Sequence, residues 1–256
     1  MKKIISALIR FLPRPLLQRI SPLGLKVLGW FYRGKAVECP ICQHTYARFL
    51  PYGRGSSARA NALCPHCLSL ERHRLIWVYL QEKTDFFTVP QQVLHIAPEA
   101  CFIPRFEKLP HLEYITADLV SPLAQVKMDI MQMPFPENRF SVVFCNHVLE
   151  HVADDRQAMR EIYRVLRPGG WAILQVPFFR LDLEETYEDA RLTSPAERFR
   201  AFGQEDHVRM YGRDYAQRLA SAGFRVMEDD FALLLPENFR QKHGLPRQEY
   251  IYLCKK

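Results

Sequence analysis

Five short apolar runs between residues 91 and 177 alternate with helical or loop stretches, and nothing else in the chain restricts the fold as strongly. They read QQVLHIA (91–97), LEYITAD (112–118), VKMDI (126–130), FSVVFCN (140–146) and WAILQVP (171–177). Parallel strands need a crossover long enough to hold a helix, so alternation of this kind predicts a doubly wound, mostly parallel sheet with helices on both faces. The clearest helix is predicted from about Asp154 to Arg167: Asp154 or Asp155 caps it, Ala158, Ile162 and Leu166 form an apolar stripe, and Pro168-Gly169-Gly170 ends it. Downstream, RDYAQRLASAG reads as a short amphipathic helix, FRVMEDDFA as a strand and EYIYLCKK as a closing strand.

Ahead of this region stand two knuckles, CPIC with Cys39 and Cys42, and CPHC with Cys64 and Cys67. A C-x-x-C turn brings two sulfurs to one point, and two such turns complete the tetrahedral thiolate set that zinc prefers. The competing reading is two disulfides, which the absence of a secretory pattern disfavours. His44 and His66 adjoin the knuckles, but four sulfurs already fill a zinc shell, so both are expected to be bystanders. Cys101, Cys145 and Cys254 lie in apolar or strand-like surroundings and are expected to be small buried hydrophobes. The run LSLERHRLIWVYLQEK predicts a helix joining the two modules.

The 256 residues, 48% hydrophobic and 25% charged, can bury one good core and carry a small appendage. The net charge of +7 is unevenly spread. Residues 1–37 hold eight of the 35 basic residues and no acid, leaving 27 basic against 28 acidic side chains beyond them. A helix over residues 3–12 would set Lys3, Ser6 and Arg10 opposite Ile4, Leu8, Phe11 and Leu12, before Pro13 and Pro15 interrupt it. Such an arm suits peripheral contact with an anionic membrane face, with Trp30, Phe31 and Tyr32 at interfacial depth, or packing onto the rest of the protein. No apolar run is long enough to span a bilayer, and Arg10 cuts short the stretch that resembles a signal peptide. The expected organisation is a basic arm (1–37), a zinc-ribbon-like module with its connecting helix (38–84) and an α/β domain (85–256), in a cytoplasmic protein, at the inner membrane surface if the arm binds lipid.

In a doubly wound sheet ligands bind beyond the carboxyl ends of the strands, where strand order reverses. Asp118 ends the second strand, 23 residues past His95, and is placed to bridge two ribose hydroxyls. Asp129 and Ile130, on the third strand, are placed to face an adenine ring. The fourth strand ends in Asn146 and His147.

With these residues in view, the chain from about Val93 to Phe224 resembles the class I S-adenosylmethionine-dependent methyltransferases, of the small-domain type that includes ubiquinone-biosynthesis methyltransferases. The matching words are VLHIAPE, YITADL, MDIMQMPFPENRFSVVFCNHVLEHVADD and REIYRVLRPGGWAILQVP. The resemblance implies a Rossmann-like α/β fold with S-adenosylmethionine as cofactor, held by His95, Ala97, Pro98, Glu99, Asp118, Leu119, Asp129, Ile130 and Asn146. It covers neither the zinc module nor the arm. One departure stands out: the family's first motif usually carries an acid and three glycines, whereas His95, Ala97, Pro98 and Glu99 occupy it here. Either Glu99 holds the methionine ammonium and Ala97 is small enough for close approach, or cofactor binding has been lost. His95 either replaces the acid with a hydrogen bond near the cofactor or is a satisfied core residue.

Methyl transfer from a sulfonium needs alignment of the acceptor and, for oxygen or nitrogen acceptors, a base. His147, and His151 one helical turn on, are the catalytic candidates; capping or packing is the structural alternative for both. His207 either lines the substrate pocket or orders its loop. Residues 178–212 are expected to form a long charged connection over the pocket, with Phe178, Phe179, Arg180 and Tyr187 near the acceptor. The acceptor is expected to be a small molecule, a lipid-linked intermediate or a glycan. A runner-up reading is RNA methylation, with Arg48, Arg54, Arg59, Arg72 and Arg74 of the zinc module on the RNA. A third is a non-catalytic zinc-containing binding protein with a degenerate cofactor loop.

Overall fold

The structure, a computed structural model, describes residue 24 and residues 27–53, 58–178 and 182–256. The basic arm over residues 3–12, with Pro13 and Pro15, lies outside the described residues, as do Arg54, Phe179 and Arg180. In chain order the elements are β1 (Arg33–Glu38), β2 (Thr45–Tyr46), β3 (Leu50–Tyr52), β4 (Arg59–Leu63), α1 (Glu71–Lys83), β5 (Gln91–Ile96), α2 (Ile103–Phe106), β6 (Leu112–Asp118), β7 (Val126–Lys127), β8 (Phe140–Asn146), α3 (Asp155–Val165), β9 (Leu166–Gln175), β10 (Tyr187–Glu188), α4 (Pro195–Phe202), β11 (Arg209–Met210), α5 (Tyr215–Ser221), β12 (Arg225–Asp229), α6 (Phe231–Leu234), α7 (Glu237–His243) and β13 (Ile251–Lys255). A single turn of 3-10 helix, Leu149–His151, follows β8. Among the described residues no helix is long and apolar enough to cross a membrane.

The chain divides into two compact units. The first comprises the chain up to Phe87 together with Glu99–Arg105 and Phe231–Glu249; the second comprises Thr88–Pro98, Phe106–Asp230 and Tyr250–Lys256. The sequence pattern shows no sign that 99–105 and 231–249 join the first unit.

In the first unit, β1 pairs with β2 and β3 with β4 as antiparallel ribbons. Helix α1 buries every residue from His73 to Leu80. Its one guanidinium in that stretch, Arg74, is wholly buried and donates to the carbonyls of Ala62, Ser69, His243 and Gly244 at 2.6–3.2 Å while lying 4.3 Å over the Phe49 ring. A buried cation is tolerated only with such a full set of acceptors. Gly244 closes α7 with φ +55, and a Cβ there would come within 2.9 Å of both Phe49 and Arg74, so glycine is required for conformation and for space.

The second unit is built on a seven-stranded sheet in the order β12-β13-β9-β8-β5-β6-β7. All neighbouring pairs are parallel except those made by β13, which runs against β9 and β12. This is a Rossmann-like α/β fold. From β5 the chain steps outward through β6 to β7, then returns to place β8 on the other side of β5, so strand order reverses between β5 and β8. Strand β8 is buried at all seven positions, as expected of a central strand covered on both faces. Phe140, Val143, Ile162, Leu174 and Tyr215 are among the fully buried side chains of this core, each contributing about 1.5–3 kcal/mol.

Two boundaries differ from those the sequence predicts, and the choice it leaves open for the helix cap is decided. Helix α3 ends at Val165 rather than Arg167, because β9 is already paired at Leu166 and the register shift opposite Phe140–Val142 absorbs Pro168-Gly169-Gly170. Asp154 is the cap, its Oδ1 accepting from the Gln157 amide at 2.9 Å, while Asp155 is a buried core acid. The third strand is only Val126–Lys127, since Asp129 turns the chain by accepting from the Met131 amide through Oδ1 and from the Gln132 amide through its carbonyl.

Candidate functional site

In the first unit the two knuckles bring Cys39, Cys42, Cys64 and Cys67 together, with their sulfurs within 4.8 Å of one another. Cys39 and Cys67 are 3.6 Å apart, and Cys42 and Cys64 3.7 Å. These separations greatly exceed a disulfide's length of about 2.05 Å. They match the edge of about 3.8 Å that a tetrahedron of thiolates bonded at about 2.3 Å would have. Amides close each knuckle: Gln43 N donates to Cys39 O at 2.8 Å and Leu68 N to Cys64 O at 3.0 Å. Hydrogen bonding with Cys42 and Cys64 pulls the Cys39 thiol far down, and the same contact with Cys39 pushes Cys64 far up. Four sulfurs this close cannot all be anionic without a cation among them. His44 and His66 stack on each other at 3.6 Å between centroids, and His44 Nδ1 contacts the Cys42 carbonyl at 2.9 Å.

The arginines of this unit are mostly engaged elsewhere. Arg59 pairs with Glu71 at 2.9 Å, and Arg74 is buried as described. Glu99 also belongs to the first unit, its carboxylate 3.9 Å from Nε2 of His73.

In the second unit the carboxyl ends of β5, β6 and β8 lie side by side at the reversal of strand order. Beyond β5, Ala97 adopts φ +50 and donates its amide to Ala117 O at 2.9 Å. A left-handed residue here is what glycine would supply without strain. Pro98 is buried. Asp118 ends β6 with Oδ1 accepting from the amides of Val120 and Ser121 at 2.7 and 2.6 Å. Those bonds orient the carboxylate, and Leu119 and Val120 stand exposed beside it. Ile130 is buried just past Asp129. His95, by contrast, is fully buried in the aromatic core, its Nδ1 2.7 Å from the Tyr114 hydroxyl and its ring against Phe106 and Phe144.

Beyond β8, Asn146 is buried, and His147 takes φ +55 with its amide donating to Gln175 O at 2.7 Å. That bend starts the 3-10 turn and turns His147 and His151 onto one carboxylate. Glu150, its side chain 2% exposed, sets Oε1 3.5 Å from His147 Nδ1 and 4.0 Å from His151 Nε2. His207 joins them from residues 178–212, its ring edge-on to His151 at 4.7 Å. Burial holds the His207 imidazole below its ordinary pKa, partly offset by the charge of Glu150.

The described residues of 178–212 are tied down by hydrogen bonds to the rest of the second unit. The described part forms the β10–β11 ribbon and α4, capped reciprocally by Ser194 and Glu197. Val208 N donates to Glu150 O at 2.9 Å, and the buried Arg209 donates to the carbonyls of Leu149, Val152 and Ala153 at 2.5–3.0 Å. Arg209 and Arg218 also face Asp155, which Arg218 grips at 2.8 Å and Tyr211 at 2.8 Å. Phe178 packs on Tyr215 and Tyr252, and Tyr187 on Phe202. Glu150, Asp155 and Arg209 carry this arrangement, and the sequence offers no signal for them beyond an acid inside LEHV and two charges in otherwise ordinary runs.

Residues 105–174, which include β6, β8, α3 and most of β9, match the family described as a methyltransferase domain. Over this stretch the chain is similar to that family. Over 44 residues, 17% of this chain and 13% of the relative, it is 50% identical to a cycloartenol-C-24-methyltransferase of Arabidopsis thaliana. Over 40 residues, 16% of this chain and 17% of the relative, it is 50% identical to a demethylmenaquinone methyltransferase of Listeria welshimeri. The chain thus spans less than a fifth of the length of these curated relatives. A solved S-adenosylmethionine-dependent methyltransferase from Mesorhizobium loti is 14% identical, with a TM-score of 0.46 over 70% of this chain and 97% of that one.

Proposed function

We propose that this protein transfers a methyl group from S-adenosylmethionine to an acceptor bound at the carboxyl end of the second unit's sheet. The observation that carries the reading is Asp118, an oriented carboxylate ending β6 beside the point where strand order reverses, in a segment that matches a methyltransferase domain. The residues fit the nucleoside: Asp118 Oδ2 is the oxygen for the ribose hydroxyls, Asp129, Ile130 and Leu119 flank the adenine, and the left-handed Ala97 with Pro98 lets backbone approach. Ala97 supports a working loop over a lost one, since it keeps a conformation that glycine favours. Asn146 closes the floor of the site.

When bound, S-adenosylmethionine would supply an electrophilic methyl carbon on a cationic sulfur. His147 takes the acceptor's proton. Its Nε2 is buried with no hydrogen-bond partner among the described residues, while Nδ1 faces Glu150 Oε1, which orients the ring. Zinc in the first unit is held by Cys39, Cys42, Cys64 and Cys67 and supplies structure: the sulfur spacing supports it, and a closed four-thiolate shell has no open position for chemistry.

The acceptor class supported best is a membrane-derived lipid or lipid-linked glycan. Trp30 and Phe31 are 57% and 72% exposed, and Arg33 lies 5.2 Å over the Trp30 ring, as suits a lipid headgroup region. The partial relatives act on a sterol and on a menaquinone precursor by their names, which agrees with a lipid acceptor. RNA is supported less well, because Arg74 is a core residue and Arg59 is paired. Incubation with methyl-labelled cofactor and fractionated lipid, metabolite and RNA extracts tests this reading. Label in the lipid fraction, lost in His147→Ala, is the expected result; label confined to RNA, or in no fraction, would reject it.

A further inference from the structure

The cluster at Glu150 has a property that base catalysis by His147 does not use. Glu150, His151 and His207 each present one ligand atom, and these atoms lie within 4.8 Å of one another. Glu150 Oε2 is buried and has no hydrogen-bond partner among the described residues. A carboxylate oxygen held dry without a donor is costly, so such oxygens ordinarily have a partner.

The histidines are prepared as ligands in the usual way. His151 Nδ1 lies 3.2 Å from the Asp206 carbonyl and 3.5 Å from its carboxylate, which fixes the proton there and turns the Nε2 lone pair toward Glu150. A carboxylate or carbonyl behind the far nitrogen of a metal-ligating imidazole sets its tautomer and raises its basicity. His207 is delivered to the opposite side by a braced backbone, through Val208 N to Glu150 O and through Arg209 to three carbonyls of the turn. Two imidazoles and one carboxylate on a rigid frame form a three-ligand set with open coordination positions, the donor chemistry of zinc, iron(II) or cobalt(II) rather than of magnesium or calcium.

We propose that Glu150, His151 and His207 bind a divalent transition-metal ion, at a second site independent of the four thiols. Ligands bonded at about 2.0 Å stand about 3.3 Å apart, so the set closes by no more than about 1.5 Å on binding the ion. His151 is then a ligand and His147 keeps the proton-transfer role; ion binding itself does not depend on methyl transfer.

The test uses the full chain, stripped by chelator and titrated with cobalt(II). The expected result is two ions per chain: one with intense sulfur-to-metal charge-transfer absorption, and one with weaker bands that lack it. In His207→Asn the second ion should bind about 100-fold more weakly or not at all, with the charge-transfer bands and the circular dichroism unchanged. X-ray absorption on the cobalt-loaded wild-type chain needs no variant and should show a nitrogen and oxygen shell beside the sulfur shell. A sulfur-only shell, or a second ion held equally well by His207→Asn, overturns the proposal. Loss of the sulfur bands alone would count against the thiol site and leave this one standing.

Discussion

The two clusters of ligand-type side chains are built in opposite ways. Cys39, Cys42, Cys64 and Cys67 come from two turns that each place a pair of sulfurs locally, so the convergence is written in residue spacing. Glu150, His151 and His207 converge because a ribbon returning from β9 lays His207, 56 positions past His151, against the turn after β8. The first set is short-range and closed, the second long-range and open. A closed thiol shell holds structure, whereas an open imidazole and carboxylate set at the end of a parallel strand stands where ligands bind in such sheets.

That contrast breaks most sharply at the thiols. Changing Cys39 and Cys42 together to serine should abolish zinc binding and unfold the ribbons of the first unit, an effect on the order of 10 kcal/mol. Metal analysis and amide hydrogen exchange over residues 38–80 check it; a folded, exchange-protected ribbon without metal would contradict a structural zinc. In the second unit the most costly change is Asp155→Ala, which removes the buried carboxylate facing Arg218 and Arg209, leaving them Glu188, and should lower stability by about 3 kcal/mol in urea unfolding.

Asp155 also sets an acid dependence. Burial pushes its carboxyl up, but the Arg218 hydrogen bonds, the Arg209 charge and the Tyr211 hydroxyl more than offset this and leave it below the ordinary value. A carboxylate with a depressed folded pKa stabilises fully above its unfolded value of about 3.9 and loses that contribution as pH falls through the folded one. Unfolding should therefore steepen below about pH 4 in the wild type and be flatter there in Asp155→Asn.

Smaller effects sharpen the picture of the open cluster. His147→Ala should cut methyl transfer to an oxygen or nitrogen acceptor by about 100-fold and leave cofactor affinity unchanged, as measured by single-turnover kinetics and calorimetry. Ala97→Gly should be the mildest change, raising stability by about 1 kcal/mol through relief of the φ +50 conformation, with no loss of cofactor affinity.

Much of this was legible before the structure. β6 and β8 occupy the ranges their runs predict, and for β8 the reason is that a strand buried on both faces is apolar along nearly its whole length. The joining helix lies within its predicted run for a similar reason. The third strand failed because MDI has a strand-like composition, yet Asp129 prefers to satisfy the amide of Met131. His95 looked like a strand-end site residue, but alternation along β5 turns its ring into an aromatic core that the strand pattern cannot show. The anchoring of the described residues of 178–212 has no sequence signal either: Asp155 and the turn carbonyls reach Arg218 and Arg209 only through the tertiary fold.

The methyl transfer proposed for the second unit depends on Asp118 holding a sulfonium nucleoside, and calorimetry of the full chain with S-adenosylmethionine measures that directly. Saturable binding to the wild type, weakened about 10- to 100-fold in Asp118→Ala by the loss of one or two charge-assisted hydrogen bonds, is the predicted result. No saturable heat with the wild type, or equal affinity in both proteins, would contradict it.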